Sequence, residues 1–377
     1  MTLFLVSYVL IYLLMHLYAF YHAYRSLQFG RKSIAFAVFF SVFMIASPII
    51  VRLAEKQGLE TGPAILAYAG FTWMGILLLF TAVAAFYDVC AVGKWLVLRL
   101  RKKPAQLTAS YRRRRFFVQL VIVLTIYGYG LFEANQIRTV HITIASPKIS
   151  QRTEKLRIAL ISDVHLGLIV GENRLEKILA RVKEAEPDLL VSAGDLVDGQ
   201  LNDLDMVGKM LAQIQPPFGK LAITGNHEFY AGLPESLDFT DKAGFLMLRN
   251  QIVSVNEIAF VGVDDRTSEL YGDRAENTEL ELLRRQRRNT FTVLLKHRPV
   301  VNPESVGLFD IQLSGHTHKG QIFPFNLFTW LTYRFPGGIN MLEYGYLYIS
   351  NGSGTWGPPI RFLAPPEVTI IDLVHGV

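Results

Sequence analysis

At 377 residues the chain has room for two or three domains, and 51% of it is hydrophobic. Its net charge of +6 directs attention to where the basic residues lie. The single cysteine, Cys90, excludes an internal disulfide and a cysteine-based zinc cluster. At the end of an apolar stretch, it reads as a buried, inert thiol.

Four stretches are long and apolar enough to cross a bilayer, for which about 20 residues suffice. They are residues 3–24, 34–51, 64–90 and 116–132. The first has no basic residue before it and exceeds the apolar core of a secretion signal, so it reads as a retained span. His16 and His22, in or beside it, read as packing or interfacial residues. Tyr21, Tyr24, Trp95, Tyr127 and Tyr129 stand at span ends, as interfacial aromatics do.

The loops set an orientation. The first carries Arg25, Arg31 and Lys32. The second carries Arg52 and Lys56 beside Glu55 and Glu60. The third carries Lys94, Arg99, Arg101, Lys102, Lys103 and the run Arg112 to Arg115. The positive-inside rule puts the first and third in the cytoplasm, so both termini and everything after Phe132 lie on the other side. The arginine run reads as a cytoplasmic anchor rather than a site for anionic lipid or nucleic acid.

Residues 1–132 are thus a helical membrane region of four spans, and 133–155 a polar connector with a short strand at 140–144, in which His141 faces solvent. Residues 156–377 repeat strand, loop and helix. Strands are expected at 156–162, 189–193, 220–224, 245–248, 252–255, 258–263, 291–295, 311–314, 346–350 and 368–373. Helices are expected at 172–184, 203–214, 234–243 and 276–288. This is an α/β pattern.

The chemistry gathers at strand ends. Gly194-Asp195 follows a buried apolar run, and a carboxylate on a glycine turn there faces the crevice where open α/β sheets bind ligands. Asp163, His165, Asn226, His297, His316 and His318 stand at the ends of other expected strands. Each alone has a plainer reading, such as a helix cap, good turn chemistry or a satisfied loop histidine. Gly315-His316-Thr317-His318 is the most specific, because two histidines two residues apart reach one cavity only if the backbone turns sharply. Together they read as a site in which Asp195 bridges two metal ions and the others fill the remaining positions.

Asp163-Val-His165, Gly194-Asp195, Gly225-Asn226-His227-Glu228, His297 and Gly315-His316-Thr317-His318 follow the pattern of the calcineurin-like metallophosphoesterases with no member missing. The chain resembles that family over about residues 155–375. It is most similar to membrane-associated bacterial phosphohydrolases, on Gly320-Gln321-Ile322 and on Pro359-Ile-Arg361 followed by Pro365-Pro366-Glu367. The resemblance implies a four-layer α/β/β/α sandwich after the four spans. It implies two divalent metal ions, one held by Asp163, His165, Asp195 and His318, the other by Asp195, Asn226, His297 and His316. Such mixed nitrogen and oxygen donors suit Mn, Fe or Zn. It also implies that a metal pair ~3.5–4 Å apart activates water to attack a phosphomono- or diester without a covalent intermediate. His227 becomes the non-ligand histidine that protonates the leaving oxygen. Arg298 and Lys319 are candidate contacts to the substrate phosphate, Lys319 standing where the subgroup usually has glycine. Asp198, Glu228 and Asp264 are expected to orient ligating histidines.

Residues 322–335 are too short to span and too aromatic for an ordinary exposed loop. They read either as core, or as a loop that touches the bilayer or grips an apolar substrate tail. The expectation is therefore a multi-pass plasma- or inner-membrane phosphoesterase, facing away from the cytoplasm and acting on a lipid-linked phosphoester. One alternative is a cytoplasm-facing pyrophosphatase acting on a nucleotide-linked lipid. Another is a catalytically silent membrane receptor or scaffold, disfavoured because degenerate copies lose ligands and this chain has lost none. Nucleic acid is not an expected partner, since the last two thirds have no Lys/Arg stripe with interleaved aromatics.

Overall fold

The structure, a computed structural model, describes residues 2–55, 57–59, 61–102, 108–199, 204–273 and 278–376. Lys56, Glu60, Lys103, Asp203 and Glu276, which figure in the loops and helices expected above, lie outside the described residues. The chain forms two compact units, Met1–Phe132 with Pro358–Ile360 and Glu133–Gly357 with Arg361–Val377.

The first unit contains α1 (Thr2–Leu27), α2 (Arg31–Glu55), α3 (Thr61–Leu100) and α4 (Ala109–Ala134). All four are long and apolar enough to cross a membrane. The 40 residues of α3 make a rod of about 60 Å, roughly twice the hydrocarbon thickness, so its basic end with Lys94 and Arg99 runs on beyond the apolar stretch. The run Arg112 to Arg115 lies in the opening turns of α4. Polar groups inside this unit pair with one another. Asp88 accepts from Arg115 and Tyr18, each at 2.6 Å, and lies 3.1 Å from His22. Trp73 donates to His16 at 2.9 Å. Cys90 is exposed on α3 rather than buried, because the apolar surface of these helices faces outward.

The second unit continues with β1 (Arg138–Ser146), β2 (Leu156–Ile161), α5 (Glu172–Glu184), β3 (Leu189–Ser192), α6 (Asp205–Ala212), β4 (Lys220–Ala222), α7 (Asn226–Ala231), α8 (Leu233–Lys242), β5 (Leu246–Met247), β6 (Gln251–Val255) and β7 (Ile258–Gly262). There follow α9 (Thr267–Leu270), α10 (Glu279–Arg284), β8 (Thr292–Leu295), β9 (Ile311–Ser314), α11 (Phe325–Tyr333), β10 (Gly338–Met341), β11 (Tyr346–Ile349) and β12 (Glu367–His375). One six-stranded sheet runs β1-β12-β2-β3-β4-β5 and the other β10-β11-β9-β8-β7-β6. The neighbours β2 to β5 are parallel, as are β7, β8, β9 and β11. The strand inside the connector is longer than expected: β1 pairs in parallel with β12 over nine residues and closes the first sheet's edge.

Side-chain alternation builds the layers. In β2, Leu156, Ile158 and Leu160 enter a core shared with Phe260, Val293, Leu295 and Leu313 of the second sheet. Ala159 and Ile161 point the other way, against Leu175, Ile178, Leu179 and Val182 of α5. These four recur at helical spacing, and burying each is worth about 1.5–3 kcal/mol. Outside the second sheet, Val261 and Leu294 pack on Leu282 and Leu283 of α10. The order is helix, sheet, sheet, helix, the four-layer α/β/β/α sandwich expected.

Candidate metal centre

Five strands end at one place. Asp163 and His165 follow β2, Asp195 follows β3, and Asn226 opens α7 after β4. His297 follows β8, and His316 and His318 follow β9. The first three strands belong to one sheet and the last two to the other, so the site lies where the carboxyl ends of both sheets meet.

The backbone is bent sharply there. Asp163, His165, Asp195, His316 and His318 all have φ between +47° and +69°. Non-glycine residues avoid this left-handed region, at a cost of roughly 1–3 kcal/mol each, and it persists only where surroundings enforce it. Backbone bonds supply the enforcement: Asp163 N–H donates to Gly194 O at 3.0 Å and His165 N–H to Asp195 O at 3.1 Å. His316 N–H donates to the Asp163 carboxylate at 2.9 Å. Two glycines make room. A Cβ on Gly194, at φ +91°, would stand 2.7 Å from His297 Nδ1, and one on Gly315 would overlap the Asp163 carboxylate.

The side chains converge in two groups that share Asp195. In the first, His165 Nε2 lies 3.0 Å from His318 Nε2, and His318 Nε2 lies 3.4 Å from Asp163 Oδ1. In the second, His297 Nε2 lies 3.3 Å from His316 Nδ1 and 3.1 Å from Asp195 Oδ2. Asp195 Oδ2 is also 3.8 Å from His165 Nε2. All six are buried except His316, which is half-buried. Asn226 is buried beside them, its Oδ1 without a hydrogen-bond partner, while the N–H of the next residue, His227, donates to Asp195 Oδ1 at 2.8 Å.

These donors fit divalent cations. Ring nitrogens that face each other at 3.0 and 3.3 Å, a carboxylate between the pairs, and an orphaned buried amide oxygen make up the mixed nitrogen and oxygen set such an ion takes. The charged groups perturb one another strongly. Although burial alone would lower it, His297 is pushed up to about 10 by Asp195, Asp163 and Asp265. Its neighbour His316 is driven down to about 3 by burial and by the positive charges of His297 and Arg298. Burial would raise Asp195, yet His297, His227 and His165 hold it well below the usual carboxylate range. His297 Nδ1, 2.8 Å from Ala193 O, donates to that carbonyl, which turns Nε2 toward the cluster.

The calcineurin-like phosphoesterase family model matches residues 156–320. An uncharacterized metallophosphoesterase of Aquifex aeolicus is 40% identical over 258 residues, covering 67% of this chain and 98% of that protein. The chain belongs to the calcineurin-like metallophosphoesterase family. An uncharacterized metallophosphoesterase of Campylobacter jejuni is 32% identical over 318 residues, covering 81% of this chain and 83% of the relative. A Danio rerio protein named transmembrane protein with metallophosphoesterase domain is 29% identical over 329 residues, covering 83% and 75%. The chain is therefore a metal-dependent phosphoesterase, carrying four helices of membrane-spanning length.

Around the ligand groups, this metallophosphoesterase places its other polar residues unevenly. His227 Nδ1 lies 2.8 Å from Asp198 Oδ1, and its ring stands 4.5 Å from that of His165. Burial opposes charge on His227, but Asp195 and Asp198 raise it to about 9. Asp198 also lies 3.5 Å from His165 Nδ1, within ion-pair distance but without a hydrogen bond to that nitrogen. Glu228 acts on backbone instead of histidines: it accepts the N–H groups of Asp195, Leu196 and Gly225 at 3.1, 2.8 and 2.6 Å. Asp264 touches no histidine and binds Thr224 and Arg249. The next residue, Asp265, holds Arg298 at 2.7 Å, and Arg298 Nη1 lies 3.0 Å from His316 Nε2. Lys319 is half-buried at φ +51°, next to His318 of the candidate cluster.

Sequence reasoning missed three neighbours. Asp265 was masked by the adjacent Asp264. Tyr333 has its ring 5.9 Å from that of His316. Arg361 stands out in the sequence only as part of a motif. It is fully buried, donates to the carbonyls of Gly354, His318 and Asn351, and lies 3.1 Å from His318 Nδ1.

Proposed function

We propose that the chain is a membrane-embedded, dinuclear phosphoesterase that hydrolyses a lipid-linked phosphomono- or diester on the side of the membrane away from the cytoplasm. The observation that carries this reading is the position of Asp195 Oδ2 between two imidazole pairs, 3.1 Å from His297 and 3.8 Å from His165. In this reading Asp163, His165, Asp195 and His318 hold one divalent ion, and Asp195, Asn226, His297 and His316 the other, as Mn, Fe or Zn. When bound, such a pair supplies the positive charge that ionises a water nucleophile and offsets charge on the phosphoryl oxygens.

The chain's own residues divide the remaining work. His227, whose Nδ1 is tied to Asp198, carries a proton near neutral pH and presents Nε2–H to the leaving oxygen. Arg298, fixed by Asp265, directs its guanidinium along the rim formed by His316 and binds a non-bridging phosphate oxygen. Lys319 adds a second cation beside His318. Burial of the ligand side chains limits water at the reacting centre. The lipid character of the substrate is supported by the four long apolar helices and by the aromatic segment that runs from the site through Tyr333. The orientation rests on the basic residues between the first and second helices and between the third and fourth.

The test is hydrolysis by the full chain in nanodiscs, across lipid phosphates, lipid diphosphates and nucleotide-linked lipids. The expected result is release of phosphate or of the headgroup from a lipid phosphoester, abolished by a chelator and restored by Mn²⁺. Metal-loaded protein that cleaves nothing in the panel would return the reading to a silent scaffold. A C-terminal tag reached only from the cytoplasm would reverse the orientation.

A further inference from the structure

The helix α11 is built inside out. A helix on the surface of a water-exposed unit turns its apolar stripe inward and its polar residues outward. In α11 the half-buried positions are Asn326, Thr329 and Tyr333, which share one face at spacings of three and four. The outward positions are Phe325, Leu327, Phe328, Trp330 and Leu331, each between 51% and 65% exposed. No residue of this helix is buried. At 3.6 residues per turn the outward side chains cover more than half of the circumference.

Three further observations bear on what covers this face. The threonine hydroxyls need no water: Thr329 donates to Asn326 O and Thr332 to Phe328 O, each at 2.9 Å. Self-satisfied hydroxyls are what a helix needs in an apolar medium. The edge strand β10 continues the pattern, with Ile339 and Met341 exposed on alternate positions. Between residues 319 and 341 the only charged side chains are Lys319 and Arg334, with no acid among them.

We propose that α11 and the exposed positions of β10 form a surface that docks into the interface of a bilayer containing anionic lipid. The exposed apolar side chains enter the acyl boundary, and the exposed Arg334 meets a lipid phosphate. Trp330 suits the headgroup depth, where amphipathic rings concentrate. A bilayer is the occupant, not one substrate tail, because the apolar face is convex and wider than a single acyl chain covers. The chain also carries helices that bring it to a membrane. Since Tyr333, on the inward face, stands 5.9 Å from His316, docking holds the rim of the metal-ligand cluster at the lipid surface. This last consequence rests on the lipid-substrate reading; the docking itself does not.

The test uses the full chain with Cys90→Ala, reconstituted in nanodiscs of phosphatidylcholine and phosphatidylglycerol. An environment-sensitive fluorophore is attached at Phe328→Cys, and in a second protein at Lys242→Cys, an exposed position on α8. Nitroxide-labelled lipid is expected to quench the probe at 328 by roughly half or more and the probe at 242 little. Equal quenching at the two positions would overturn the proposal. A blue-shifted but unquenched probe at 328 would overturn it too, by showing that protein, such as a second copy, covers the helix. In a second arm, Leu327, Phe328, Trp330 and Leu331 are changed to Ser. Hydrolysis of a bilayer-borne phosphoester is expected to fall roughly tenfold or more, while a soluble chromogenic phosphoester is cleaved as before. Equal loss on both substrates would make α11 a structural element and overturn the docking role. If the unmodified enzyme cleaves no lipid phosphoester, the substrate reading fails, and the quenching result still decides the docking.

Discussion

His165 and His318 are separated by 153 residues of chain, yet their Nε2 atoms face each other at 3.0 Å in a buried space. Two ring nitrogens so placed leave at least one lone pair without a proton to accept unless one ring donates to the other. His297 and His316 repeat the arrangement at 3.3 Å, with Asp195 between the two pairs. A divalent cation at each pair would take both ring nitrogens as ligands, and the following expectations derive from that arrangement.

His227→Ala should lower turnover by about 10²–10⁴, the usual worth of a positioned proton donor, while metal content stays near that of the unaltered enzyme. Asp198→Asn should give a smaller loss and shift the alkaline limb of the pH profile downward, because one of the two carboxylates that raise His227 is gone. Steady-state kinetics with metal analysis checks both. Metal-free His227→Ala protein would show that the histidine is a ligand.

Arg298→Ala should raise KM roughly tenfold to a hundredfold, with a smaller change in kcat, as expected on losing a charge-assisted bond to phosphate worth about 1.5–3 kcal/mol. Asp265→Asn should move KM in the same direction by less, since it loosens the guanidinium without removing it. Unchanged KM in both would confine Arg298 to supporting His316.

Much of the candidate site is legible because its residues lie just past apolar strands, where a run of three to six residues marks the end point. Other parts were hidden for physical reasons. At the end of β7, one step along the chain reverses the side-chain direction, so Asp264 was expected near the histidines where Asp265 supports Arg298. Glu228 looked like a partner for imidazole, but as the third residue of α7 it reaches back to backbone N–H groups. Periodicity also failed for α11, whose apolar residues point outward, so the rule that reads apolar spacing as a core-facing stripe has nothing to find. Only residues 140–144 of the strand β1 are legible as strand, because half of its surface is exposed and its partner lies at the far end of the chain.

Glu228→Ala should destabilise the catalytic unit by at least about 3 kcal/mol, since three buried N–H groups lose their acceptor at about 1–3 kcal/mol each. The loop bearing Asp195 should loosen with it, so metal uptake should weaken as well. Glu228→Gln, which keeps an acceptor oxygen, should recover part of both. Thermal unfolding with and without added Mn²⁺ gives the answer; a change within experimental scatter would mean water replaces the carboxylate.

Lys220 gives a pH signature away from the metal ligands. It is buried, donates to the carbonyls of Leu211 and Ala243, and is pushed down to about 8 by burial. In the unfolded chain it titrates near ~10.4. Between these values the unfolded state binds more protons, so this residue makes stability rise with pH there and contributes no slope below about pH 7. The unfolding temperature of the unaltered protein, compared with Lys220→Met between about pH 7 and 10, should show that rise only when the lysine is present. Parallel curves would contradict the assignment.

The most direct measurement is the number of divalent ions per chain in the purified, unaltered protein and in three variants, by elemental mass spectrometry. Two ions are expected in the unaltered protein, one in His165→Ala and one in His297→Ala, with fewer than one in Asp195→Asn because both positions share that carboxylate. A single ion in the unaltered protein, or two retained after Asp195→Asn, would contradict a shared two-cation pocket.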